Sequence, residues 1–73
     1  MSNHKFSKRE IEKYNWVIQY VRKEVLTGRD LWASLESAGL SFLDEIKRFA
    51  HYASQEGAFD ISEPILKEHP EFI

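Results

Sequence analysis

The sequence predicts a single all-α domain, a compact three-helix bundle followed by a short C-terminal helix or tail. Apolar residues recur at helical spacing in three stretches, and no stretch alternates as a β-strand would. Glycine, proline and capping residues separate these stretches. We divide the 73 residues into an N-terminal arm expected to be flexible (1–6), a three-helix core (7–57) and an acidic C-terminal segment (58–73).

The first helix is predicted from about Ser7 to Leu26. Ser7 and Glu10 have the spacing of a capping box, in which each side chain accepts a hydrogen bond from the other residue's backbone amide. The apolar positions follow one another at spacings of 3, 4, 3 and 4, which indicates one face of a helix. This stripe consists of Ile11, Tyr14, Ile18, Val21 and Val25.

Two further helices are predicted between short turns. Thr27 and Asp30 again have capping-box spacing, so Thr27 is expected to cap a short second helix that ends at Gly39. Its apolar side consists of Leu31, Trp32, Leu35 and Ala38. Ser41 is expected to cap the third helix, which ends at Gly57. The residues expected to be buried on the third helix are Phe42, Leu43, Ile46, Phe49, Ala50 and Ala53.

The C-terminal segment is expected to form one short helix, about Glu63–Glu68, packed against the body. Pro64 is placed for a helix start and Pro70 for a stop. Residues 1–53 carry nine Lys and Arg against seven Asp and Glu, whereas residues 54–73 carry Lys67 against five acidic residues. A mildly basic body therefore precedes an acidic tail, and the formal net charge is −2.

Composition limits the classes of function. A chain this short has little room for an enclosed pocket besides its core, and we find no catalytic constellation, so a non-enzymatic role is expected. Cysteine is absent and no apolar run could span a bilayer, so we expect a cytoplasmic protein with no membrane association. The dispersed residues His4, His51 and His69 lack metal-ligand spacing, so no metal or cofactor is expected.

The side of the first helix opposite its apolar stripe carries two large aromatic residues, Trp16 and Tyr20. Basic residues share this side, namely Arg9, Lys13 and Lys23. Aromatic rings beside basic side chains are typical of the energetic centres of protein interfaces, so these five residues form the predicted partner-binding site. The alternative is that the C-terminal segment folds back over both rings and makes them part of the core.

The third helix offers a different site. A short glycine-containing turn precedes it, as in helix-turn-helix units. Its outward face is expected to carry Asp44, Lys47, Arg48, His51, Tyr52 and Gln55. Four of these would contact DNA, namely Lys47, Arg48, His51 and Gln55. Lys5, Lys8 and Arg9 would then act as a flexible basic arm.

The stretch from Tyr20-Val21 through Thr27-Gly28-Arg29-Asp30-Leu31-Trp32 to Leu40 resembles Myb/SANT-like domains, notably the telomeric Rap-type Myb repeat. The resemblance covers about residues 17–49, and Arg48-Phe49 match the Arg-aromatic pair of the family's third helix. It implies a homeodomain-like, helix-turn-helix arrangement with Trp32, Leu35 and Phe49 in the core. The family's Trp near the start of helix three is absent, with Phe42 nearest.

Two functions follow from these patterns. The first is a regulatory protein that binds a protein partner, with a component of the transcription machinery such as a bacterial RNA polymerase as the leading candidate. This choice rests on a resemblance in size and style to small accessory regulators of bacteria and their phages. The alternative is a sequence-specific DNA-binding domain, which the acidic net charge disfavours. The chain is expected to be a monomer or a weak dimer.

Overall fold

The computed structural model describes residues 5–73, which form four α-helices and a terminal 3₁₀ turn with no strand. The helices are α1 (Lys8–Leu26), α2 (Leu31–Ser37), α3 (Leu43–Gln55) and α4 (Phe59–Glu68), and the 3₁₀ turn is Pro70–Phe72. The all-α prediction is confirmed. No helix within residues 5–73 has the length and apolarity needed to cross a membrane.

The predicted capping box starts α1. The Glu10 amide donates to Ser7 Oγ at 3.1 Å, and the Ser7 amide donates to Glu10 Oε1 at 2.9 Å. Lys8 and Arg9 therefore belong to the first turn of α1 and are not part of a flexible arm. Residues 1–4 of the predicted arm lie outside the described residues.

The junction between α1 and α2 differs from the prediction. Thr27 is the C-cap of α1, and its hydroxyl donates to the Glu24 carbonyl at 2.7 Å. Asp30 caps α2, because its carboxylate accepts the Ala33 amide at 3.1 Å. Gly28 has φ +95°, a left-handed conformation that ends α1 and that other residues rarely adopt. The Thr27 spacing therefore marked the end of one helix and not the start of the next.

The start of α3 also shifts by one residue. Phe42, and not Ser41, is its N-cap, and no side chain accepts a hydrogen bond there. Asp44 and Glu45 in the first turn stabilise this end through the helix dipole instead.

The fourth helix is longer than the predicted Glu63–Glu68. It begins at Phe59 and includes Pro64 in its interior, although proline there removes one helical hydrogen bond. Burial compensates for that loss, because Ile61 and Ile65 are 2% and 0% exposed in the helix that packs most extensively on α3. Tertiary packing has thus overridden the local signal.

A cluster of four aromatic rings joins α1 to α3. The Tyr14 ring lies 5.7 Å from Phe49, 5.8 Å from Tyr52 and 6.0 Å from Phe6. Phe6, assigned to the arm, thus packs on the core. Tyr52 was predicted to face outward but is 4% exposed, and its hydroxyl donates to Asn15 Oδ1 at 2.6 Å. The prediction was wrong because α1 packs against that flank of α3.

An ion pair reinforces this contact between α1 and α3. The Arg48 guanidinium donates to both carboxylate oxygens of Glu10, at 2.9 and 3.0 Å, and to the Lys5 carbonyl at 3.0 Å. The same guanidinium lies 4.9 Å from the centre of the Phe6 ring, close enough for a cation–π contact. The hydrogen bond from Arg48 lowers the pKa of Glu10, and the pKa of Arg48 is raised by the same bond.

Several residues predicted to be in the core are exposed. They are Ile11, Val25, Phe42 and Leu43. The first two lie at the edges of the α1 stripe, whose centre is Tyr14, Val17, Ile18 and Val21. Phe42 and Leu43 lie at the start of α3, before the face that begins with Ile46 reaches the core.

Phenylalanine substitutions on α3 should distinguish the core from its edge. We expect Phe49→Ala to lower the free energy of unfolding by about 3–5 kcal/mol, because Phe49 is fully buried and its loss leaves a cavity. Phe42→Ala, at a residue 76% exposed, should change it by less than about 0.5 kcal/mol. Urea denaturation measures both, and equal losses would contradict the placement of the core.

The Glu10–Arg48 pair should make stability depend on pH. Because the pKa of Glu10 is lower in the folded chain, the pair stabilises the fold above the unfolded pKa of about 4.3. That contribution to stability is lost as the pH falls through the lower pKa that Glu10 has in the folded chain. We expect Glu10→Gln to lower the free energy of unfolding by about 1 kcal/mol or less at neutral pH, with the difference disappearing in acid.

Denaturation of both proteins over a pH series tests this expectation. Glu63→Gln is the matched control, since Glu63 is exposed and forms no ion pair among residues 5–73. A Glu10→Gln difference that persists undiminished in strong acid would contradict the role of the charge.

Candidate protein-binding surface

The five predicted partner-binding residues lie on the outward side of α1, which we call the outer face. Trp16 is 55% exposed, Tyr20 is half-buried, and Arg9, Lys13 and Lys23 are exposed. The Trp16 and Tyr20 rings stack with their centres 5.1 Å apart and their planes at 13°. Tyr20 also packs on the core, so the stack holds the exposed indole against a fixed support.

Two connections place the α2–α3 segment along one flank of α1. Lys13 Nζ donates to Glu45 Oε2 at 2.6 Å. Near the other end of α1, Arg29 donates to Glu24 Oε1 at 2.8 Å and to Ser37 Oγ at 2.9 Å. Tyr20 lies between Lys13 and Glu24 on the same side of the helix and is partly buried against the core, whereas Trp16 remains in solvent.

The C-terminal segment packs elsewhere. Arg22, on the opposite flank of α1, donates to both oxygens of Asp60 at 2.9 and 3.0 Å, and α4 packs mainly on α3. Farther along, His69 makes an edge contact with Trp32, with ring centres 5.3 Å apart. The alternative in which this segment covers Trp16 and Tyr20 is therefore not what the structure shows.

Two cations of the outer face form no ion pair among the described residues, although one acid of α1, Glu12, is exposed beside them. Of the acids on α1, Glu10 and Glu24 are paired with Arg48 and Arg29. Arg9 and Lys23 form no ion pair within residues 5–73. The sequence alone did not predict the ion pairs of Glu10 and Glu24. Each pair joins residues that come close only through the fold or through a turn.

The alternative site on α3 is largely engaged within the protein. Arg48 is held by Glu10, and His51 Nε2 lies 2.7 Å from the Phe72 carbonyl oxygen. Lys47 is exposed and Gln55 lies at the C-terminal end of the helix. An open groove of about 320 Å³ on this side is lined by Asp44, Lys47, Arg48 and His51. Only some of the cations predicted to contact DNA are thus available, and an acid lies among them.

A second open groove, of about 220 Å³, lies between α1 and the α3–α4 turn. Its lining residues are Asn15, Ile18, Gln19, Arg22, Glu56, Gly57 and Ala58. Asn15 accepts a hydrogen bond from the Tyr52 hydroxyl, and Arg22 donates to Asp60. Asn15 and Arg22 therefore have structural roles. Over residues 5–73, no group of three or more His, Asp or Glu side chains could hold a metal ion.

The outer face extends beyond the five predicted residues. Glu12, Gln19 and Leu26 are exposed and, being seven residues apart, lie on a line beside Arg9, Trp16 and Lys23. Leu26 is 81% exposed. This neighbouring line could have been identified from helical spacing alone, since each of its members follows an outer-face residue by three positions.

Comparison with known proteins identifies no relative of this chain. No protein-family model matches the chain, and no match is found among curated proteins or solved structures. The geometry of the outer face therefore provides the basis for a functional proposal.

Proposed function

We propose that this chain is a non-enzymatic regulatory protein that binds a protein partner through the outer face of α1. The observation that carries the proposal is the exposed indole of Trp16, stacked on Tyr20 in the middle of the longest helix. Tryptophan and tyrosine are enriched among residues that dominate binding energies, and arginine commonly accompanies them.

Trp16 differs in position from the other strongly exposed apolar residues. Among residues 5–73, those that are more than half exposed lie at the ends of helices or of the chain, namely Leu26, Phe42, Leu43, Phe59 and Ile73. Exposure at such ends follows from the start or stop of the element. Trp16, in contrast, has a full turn of helix on both sides, so its exposure follows from the rotation of α1 and not from fraying or termination.

The energy available from Trp16 is enough to matter for affinity. A tryptophan side chain can bury about 150–250 Å², so covering the exposed half gives about 2–3 kcal/mol. That corresponds to about 30- to 150-fold in a dissociation constant. The stack on Tyr20 reduces the entropy that the indole would lose on binding, because one face is already held.

As the partner we propose a component of the transcription machinery, such as a bacterial RNA polymerase, with the chain acting in the cytoplasm as a monomer or weak dimer. This part rests on the absence of cysteine and on the acidic C-terminal segment, which resemble those of small accessory regulators of bacteria and phages. The acidic net charge also favours a protein partner over direct DNA binding.

The second candidate function, sequence-specific DNA binding, follows from a Myb/SANT-like, homeodomain-like arrangement in which α3 is the recognition helix. It depends on Lys47, Arg48, His51 and Gln55. The bidentate bond from Arg48 to Glu10 disfavours it, because DNA would have to compete with a carboxylate already in place. Asp44 at the start of α3 would also face the phosphates.

A binding experiment tests the proposed function. Immobilised wild-type protein is compared with Trp16→Ala and Phe42→Ala, using purified bacterial RNA polymerase and a bacterial lysate with and without nuclease treatment. We expect a specific protein to bind the wild type and Phe42→Ala alike and to bind Trp16→Ala at least about 30-fold more weakly. Phe42→Ala is the matched control because it removes another exposed aromatic ring, 76% exposed, away from the middle of α1.

Circular dichroism and urea denaturation of each variant establish that the fold is retained. Equal binding by Trp16→Ala and the wild type would contradict the assignment of the surface. Retention of nuclease-sensitive material alone, unchanged by Trp16→Ala, would instead favour the α3 site.

A further inference from the structure

The outer face of α1 repeats with the spacing of a helix–helix seam. Arg9, Trp16 and Lys23 are separated by seven residues each and so lie almost on one line along the helix. Lys13 and Tyr20 fill the intervening positions, which gives spacings of 4, 3, 4 and 3. At 1.5 Å per residue, the two terminal cations are about 21 Å apart with the indole midway between them.

The cations at both ends of this line are available to a partner. Neither Arg9 nor Lys23 pairs with an acid in the described part of the chain, whereas Lys13 pairs with Glu45. Arg9 lies in the first turn of α1, where the helix dipole favours acidic residues. Arg9 therefore gains nothing from the dipole of its own helix, and its exposed guanidinium is placed to pair with a partner's carboxylate.

Resting on the protein-binding function proposed above, we infer that the partner segment is an amphipathic α-helix of specific charge pattern. Large apolar side chains occupy its centre, and one carboxylate lies about two turns away on each side, matching the spacing on α1. Its centre packs on Trp16 and Tyr20, while its carboxylates pair with Arg9 and Lys23. This arrangement uses every available group on the line.

The spacing favours a helix over a nucleic acid strand. A nucleic acid carries a phosphate at every nucleotide, so it needs cations along the whole path. On α1 the cations lie mainly at the ends, Lys13 is already paired with Glu45, and the exposed acid Glu12 lies beside the line. A peptide helix can place its carboxylates at two positions only and leave its centre apolar.

Synthetic helical peptides test the inference directly. The first probe carries Leu and Phe at its centre and Glu seven residues to each side, and the second replaces both Glu residues by Lys. Binding is followed by NMR through the Trp16 indole N–H and the backbone amides of Arg9 and Lys23. We expect the Glu peptide to shift these signals and to bind at least about tenfold more tightly than the Lys peptide.

Charge exchange provides the matched control. In the double variant Arg9→Glu, Lys23→Glu, we expect the preference to reverse so that the Lys peptide binds more tightly. Trp16→Ala should weaken binding of both peptides, because the apolar centre is common to them. A third peptide, with each Glu moved to four residues from the centre, should bind more weakly than the first.

The outcomes separate this inference from the proposed function. Equal affinity for the Glu and Lys peptides, or no binding of the Glu peptide at about 1 mM, overturns the inferred charge pattern even if a Trp16-dependent protein partner is found. Tighter binding of single-stranded oligothymidylate than of the Glu peptide, at the same residues, also overturns it. Failure of every protein partner to depend on Trp16 overturns the proposed function itself.

Discussion

Tyr14 contacts the rings of Phe6, Phe49 and Tyr52, and this cluster sets the rotation of α1 about its own axis. The Glu10–Arg48 pair, one turn earlier, holds the same rotation from the side. Once Tyr14 faces α3, helical geometry places Trp16 on the far side of α1. The same rotation presents Lys13 to Glu45 on one flank and Arg22 to Asp60 on the other. The exposed indole and its charged surroundings are therefore consequences of one packing contact.

Much of the fold could be predicted from the sequence, and the errors have local causes. The capping box at Ser7 was readable because two side chains satisfy each other's amides within one turn. Thr27 was misassigned because a residue that can cap a start can also bond backward to a carbonyl, as its hydroxyl does to Glu24. Pro64 was taken to mark the start of α4, yet the helix begins earlier, at Phe59. Burial of Ile61 and Ile65 stabilises the added turn, and this burial depends on tertiary packing.

The candidate surface was also predictable in part, because helical spacing is a local property of the sequence. Trp16 and Tyr20 lie opposite the apolar stripe by spacing alone, so their shared outward side could be predicted. The position of the C-terminal segment could not be predicted in this way, because the hydrogen bonds between Arg22 and Asp60 form only in the folded chain. The opposite error occurred at Tyr52, where the pattern on α3 indicated solvent but Phe6 and Tyr14 fill that side. Ion pairs that join separate helices carry no signal in local spacing.

The exposure of Trp16 on the outer face is tested most directly by the tryptophan fluorescence of a Trp32→Phe variant, in which Trp16 is the remaining indole. We expect emission typical of a solvated indole and strong quenching by acrylamide, because Trp16 is 55% exposed. The complementary Trp16→Phe variant, reporting the half-buried Trp32, should emit at shorter wavelength and be better protected. Blue-shifted, protected emission from Trp16 in the folded monomer would contradict this exposure, because it would mean that another part of the chain covers the outer face of α1.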